Sequence, residues 1–217
     1  DLGHWQAGLR LTTTIGSVDL GAQYYYGYLR RPTASIYYAP AWSVDITTGY
    51  NRYQQIGVDC ATVLAGTNLR AELGANVTDD WSGKDGAVYN PSVVWSLGFD
   101  RDVGAGINLN VQGTGSIRVV NEGFSDRLFD VEAGTDITKT RITAVVSKKF
   151  FRDELELKTT ALYGVEKRDY YVIPAVNWTR DDVAFDLACG FFGGPKMSEL
   201  GTFRNNDYLK ASVTVSF

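Results

Sequence analysis

What this chain has little of decides most of its class. No stretch of it approaches the ~18 consecutive apolar residues that a membrane helix needs. Runs such as Ala144, Val145 and Val146 stop within a few positions, here at Ser147 and Lys148. Membrane crossing by helices is therefore excluded. Charge of one sign is also scarce: 21 Lys and Arg stand against 25 Asp and Glu, a net −4, and the cations are dispersed. That leaves no electrostatic footprint for nucleic acid. Histidine occurs once, as His4, so a Ser-His-acid arrangement would have to use it, and its neighbours form no nucleophile-elbow pattern. With no Cys/His spacing suited to a metal, neither an enzyme nor a cofactor or metal site is expected. The two cysteines, Cys60 and Cys189, fall on the apolar side of the pattern below and are read as small apolar residues rather than a disulfide. The chain opens Asp1-Leu2-Gly3-His4 without a signal peptide and is read as mature or as a fragment.

What is plentiful is Gly, Tyr, Thr and Trp, in a pattern of period two that repeats to the end. In 5–15, Trp5, Ala7, Leu9, Leu11 and Ile15 alternate with Gln6, Gly8, Arg10, Thr12 and Thr14. The same split recurs in 18–28, 56–64, 69–77, 91–99, 107–114, 141–147, 155–166, 170–178 and 183–191. The last run sets Leu209, Ala211, Val213, Val215 and Phe217 against Lys210, Ser212, Thr214 and Ser216. About eleven strands result, each near the ~9–11 residues that cross a bilayer at a tilt. Residues 28–38 and 43–53 are expected to extend two of them as a hairpin that turns at Ala39, Pro40 and Ala41.

Connections are expected to alternate in length. Tight links fall at 15–17, 66–67, 102–106, 151–153 and 180–182, and longer polar ones at 78–89, 119–136 and 192–206. A soluble sandwich also alternates, but its inward face is filled with large residues. Here the polar face is rich in Gly, Ser, Thr and Asn with charges of both signs, as a hydrated interior would be. The expected fold is all-β, a transmembrane antiparallel up-and-down β-barrel with 11–12 strands visible, occupying 1–217 as a single domain. Trp5, Tyr26, Tyr28, Trp95, Phe99, Tyr170, Trp178 and Phe217 lie near the ends of the apolar bands and are the expected membrane-interface aromatics.

The closing segment Tyr208-Leu209-Lys210-Ala211-Ser212-Val213-Thr214-Val215-Ser216-Phe217 resembles the C-terminal strand of Gram-negative outer-membrane β-barrel proteins. The resemblance implies a bacterial outer-membrane location and recognition by the barrel-assembly machinery. Stretches such as 95–102 and 148–154 resemble porin-like barrels and assign no substrate. Single-chain bacterial barrels usually have an even strand number. An odd count therefore leads to the expectation that an N-terminal strand or more is missing, or that the chain is part of a larger barrel. Expected partners are outer-membrane lipids and the assembly machinery, without nucleic acid, a homo-oligomer or partner chain being left open.

Function is expected on the polar face. Arg10, Asp19, Asp59, Arg70, Glu72, Asp100, Arg118, Arg141, Glu156, Lys158, Glu166, Asp186 and Lys210 share it and are the pore-lining candidates. Opposite charges are expected to meet across adjacent strands, Arg10 with Asp19 and Asp59 with Arg70. Such charges either fill a narrow barrel or set a transverse field across a water-filled pore. The expected function is passive passage of small polar solutes or ions. The alternative is a structural, partner-binding barrel with a closed lumen and interacting loops. The acidic loop 79–86 offers oxygens to calcium, but Lys84 intrudes and no closing glutamate follows, so a polar loop is the better reading.

Overall fold

A computed structural model of the protein describes residues 4–39, 43–120 and 130–217. It has eleven strands: β1 Ala7–Ile15, β2 Val18–Ala39, β3 Ser43–Leu64, β4 Thr67–Thr78, β5 Ser92–Asp102, β6 Ile107–Arg118, β7 Thr138–Phe150, β8 Leu155–Gly164, β9 Asp169–Arg180, β10 Val183–Gly193 and β11 Tyr208–Val215. They form one antiparallel sheet in sequence order, an up-and-down meander with β1 and β11 at its two open ends. The eleven strands are those that the alternation marks out.

Turn chemistry explains the tight links. Gly16, with φ of 62°, opens the turn between β1 and β2. Ala65 and Gly66 both have positive φ, 48° and 74°, as the favoured two-residue hairpin turn requires. Between β7 and β8, Phe151, Arg152 and Asp153 are all left-handed, at 52°, 57° and 70°. Registers then fix which side chains share a face. β1 and β2 pair from Ala7 with Tyr26 to Ile15 with Val18, so Leu9 stands beside Tyr24 and Arg10 beside Gln23. The pairings of β7 through β11 separate apolar from polar residues in the same way.

Two boundaries differ from the sequence expectation, whereas the expected extensions of β2 and β3 are present and continuous with the strands below them, each strand running 22 residues. Their expected turn falls largely on residues 40–42, outside the described residues, as does 121–129 of the long link before β7. β11 stops at Val215; Ser216 N still donates to Asp182 O at 2.9 Å, but Phe217 lies beyond the strand. Glu166 lies past the end of β8, in the link to β9, where its carboxylate accepts the Thr140 backbone N–H at 2.8 Å.

Two compact units divide the chain. The first comprises Asp1–Ala61, Ala71–Trp95 and Gly115–Thr138; the second comprises Thr62–Arg70, Ser96–Thr114 and Lys139–Phe217. Apart from Pro91, in neither is an aliphatic or aromatic residue buried, among the described residues. The strand residues that alternate as apolar stand exposed instead, Leu9 at 62% and Leu209 at 69%. The buried polar and charged residues are Thr78, Asp80, Asn90, Arg118, Asp130, Asp169 and Ser198. Apart from glycines and Pro91, the buried residues among those described are polar or charged.

Candidate functional site

On the polar face of the first unit, Arg10 is the centre. Its guanidinium donates to Asp59 Oδ1 at 2.9 Å and to Gln23 Oε1 at 3.1 Å. Asp59 lies on β3 and reaches past β2 because residue 21 is glycine; a Cβ there would collide with its carboxylate. The expected pairing of Arg10 with Asp19 is corrected. Asp19 sits opposite Thr14 and accepts its hydroxyl at 2.7 Å, four residues along β1 from Arg10. Glu72 stands exposed on β4.

At the far end of the same unit a buried network ties two loops to β6. Arg118, at 5% exposure, donates to Thr135 Oγ1 at 2.6 Å and Asp136 O at 3.1 Å, and its Nε lies 3.5 Å from Glu132 Oε1. The other Glu132 oxygen accepts both Asn90 N at 3.0 Å and Asn90 Nδ2 at 2.9 Å. Arg118 is the last residue of β6, and its guanidinium is enclosed by loop residues. In the loop considered for calcium, Asp80 uses its oxygens on Ser82 Oγ at 3.0 Å and Asp85 N at 2.8 Å. Burial pushes this carboxyl up; hydrogen bonds from Asp85, Ser82 and Lys84 outweigh it and hold the pKa below the usual carboxylate range. No cluster of three or more metal-ligating side chains occurs among the described residues.

The second unit carries the longer polar face. Asp100 gathers Asn108 and Asn110 at 3.3 and 3.1 Å, and Arg70 acts on it electrostatically. Glu156 accepts Asn177 Nδ2 at 3.4 Å, Asp186 accepts Ser212 Oγ at 3.3 Å, Lys158 faces Ser147 and Lys210 faces Ala188. Arg141 is drawn into a clasp. Glu199, from the loop between β10 and β11, meets Arg141 at 3.0 Å and Lys139 at 2.9 Å. Hydrogen bonds from Lys139 and then Arg141 hold the Glu199 carboxyl down at about 2. Buried Asp169, 2% exposed, secures the same loop by accepting Leu200 N at 2.8 Å.

The expected interface aromatics fall into local groups. Trp5, just ahead of β1, lies 4.9 Å from Tyr26. Tyr28 and Tyr26 carry the Arg52 guanidinium at 4.1 and 5.1 Å, a cation–π contact that the alternation did not signal. His4 stacks near Tyr28 at 6.1 Å. Trp178 packs on Phe185 at 5.5 Å, Trp95 covers Gly115, Tyr170 covers Gly193, and Phe99 stands half-buried on β5. A second aromatic group was also missed: Tyr171, Phe192 and Tyr208 hold polar-face positions, with Phe203 from the loop beside them. Its signal was available as aromatic residues at the wrong parity. A comparison with protein-family models finds no match, and a comparison with curated proteins finds none.

Proposed function

We propose that the chain is an outer-membrane, porin-like barrel through which small polar solutes or ions pass passively. One observation carries this reading: along the strands large apolar side chains of the alternating face, such as Leu9, Leu11, Leu97 and Leu209, stand exposed, and none of them forms a buried core among the described residues. In water such a surface is costly, at roughly 25 cal/mol per Å² of apolar area. In hydrocarbon it is the favourable face, and the opposite, charged face suits a hydrated lumen. The closing strand and the aromatics at the band ends support an outer-membrane setting with lipids and the assembly machinery as partners. Strand edges are not tolerated against lipid, so on this reading β1 and β11 both find hydrogen-bonding partners in the membrane.

Purified protein added to a planar bilayer should produce stepwise ohmic conductance. Absence of current from protein shown by protease protection to be inserted in vesicles would sink the channel reading. It would favour instead a sealed barrel with interacting loops, to which the buried Arg118–Glu132 network lends support.

A further inference from the structure

Aromatic side chains on a face made of Gly, Ser, Thr and charged residues need a reason. Tyr171 and Phe192 sit opposite each other on β9 and β10, their rings 4.1 Å apart and within 4° of parallel. Phe203, from the 3-10 turn Gly201–Phe203, lies 5.8 Å from Phe192. Tyr208 pairs with Gly190, and its ring lies over that glycine so closely that a Cβ there would collide with it. The Tyr171 and Tyr208 hydroxyls are bonded at 2.5 Å, which joins the rings into one assembly. Phe203 and Tyr208 are 47% and 40% exposed, so the assembly is an open surface and not a packed core.

Beyond these rings the same face drops to small side chains. Ala188 pairs with Ala175 on one side and with Lys210 on the other. One step further, Asp186 lies between Asn177 and Ser212. Flat aromatic rings therefore stand beside a row of small residues flanked by Lys158 and Lys210, and one step further lie Glu156, Asn177, Asp186 and Ser212. An extended ligand with apolar ring faces and polar ring edges matches both parts: C–H faces stack on the rings while hydroxyls reach the polar groups.

We infer that this part of the polar face is a carbohydrate-binding site, in which pyranose rings stack on Phe203 and Tyr208 and continue past the small Ala175 and Ala188. On the channel reading, on which the transport consequence rests, this face lines the permeation path and the solute class is a neutral oligosaccharide.

Maltohexaose titrated into the protein in detergent micelles, followed by NMR shifts of the Tyr208 and Leu209 amides, should give saturable binding. Sorbitol, a polyol without a ring face, should give none at the same concentration. Phe203→Ala and Tyr208→Ala should each weaken binding about tenfold, or 1.4 kcal/mol. Tyr208→Phe keeps the ring and should stay within about threefold of the parent. Gly190→Ala lifts the Tyr208 ring and should weaken binding as Tyr208→Ala does. Equal response to sorbitol and maltohexaose, or unchanged affinity in both folded alanine variants, overturns the site. Two results separate the readings. Sugar binding by a protein that carries no current keeps the site and removes the channel. Conductance that maltohexaose never reduces, from protein showing no binding, keeps the channel and removes the site.

Discussion

Glu132 and Glu199 perform the same task in two different media. Each is a loop carboxylate that anchors its loop, Glu132 to Arg118 of β6 and to Asn90 of a second loop, and Glu199 to Lys139 and Arg141 of β7. The Arg118 and Glu132 side chains are 4% and 15% exposed, whereas those of Lys139 and Glu199 are 63% and 53% exposed. Away from water, a charge stripped of its partner has nothing to replace it. At the surface, water and salt do so at once. Similar distances therefore conceal very different stakes, and the first unit's loops should be fixed by their polar network far more firmly than the second unit's loop is by its clasp.

The largest effect should come from Glu132→Ala, which takes the carboxylate from buried Arg118 and the acceptor from two Asn90 donors. A loss of about 3–5 kcal/mol is expected in urea unfolding of the micelle-bound protein. A loss below about 1 kcal/mol would mean that the network is as solvated as the Glu199 clasp, and the comparison would break. Next comes Asp169→Ala, which orphans the Leu200 N–H. Its cost of about 1–3 kcal/mol should be local. Hydrogen exchange should accelerate through residues 194–207 while the β9 and β10 amides keep their protection, and uniform acceleration would show that Asp169 serves the whole unit.

The architecture was legible in the sequence because period-two alternation is a local signal repeated in every strand. Leu9, Leu11 and Ile15 announce β1 without reference to anything distant. The polar-face partners were not, because they depend on register and on what stands between two side chains. Arg10 meets Asp59 instead of Asp19 because Gly21 clears the path, a fact about three strands at once. Arg118 fits the alternation of β6, but its enclosure depends on where residues 130–137 fold back. Tyr171, Phe192 and Tyr208 were legible in parity and were passed over, since adjacent Tyr170, Phe191 and Leu209 satisfied the pattern without them.

Gly21→Ala tests that three-strand reach. The added Cβ displaces the Asp59 carboxylate, the mobile partner, so the pair with Arg10 should open at a cost of about 1 kcal/mol or less, both side chains being partly exposed. The decisive measurement is a double-mutant cycle. Arg10→Ala should destabilise the parent more than the Gly21→Ala background, where only its hydrogen bond to Gln23 is left to lose. Equal costs in both would mean that Asp59 finds Arg10 by another path.

The smallest effect belongs to Glu199, and its signature is pH and salt rather than size. Its pKa falls from an ordinary 4.5 to about 2, chiefly through the Lys139 hydrogen bond and then that of Arg141. A carboxyl with a depressed folded-state pKa stabilises above its unfolded value and loses that contribution as pH falls through its folded one. The parent should therefore exceed Glu199→Gln by less than about 1 kcal/mol at neutral pH, given the exposure of the pair. That margin should shrink between pH 4.5 and about 2 and vanish below. Raising salt to 1 M, where the screening length is about 3 Å, should shrink it at any pH. The Glu132→Ala deficit should persist in the same salt, because its charges are shielded from solvent ions. If both margins respond alike, burial is not what separates the two loops.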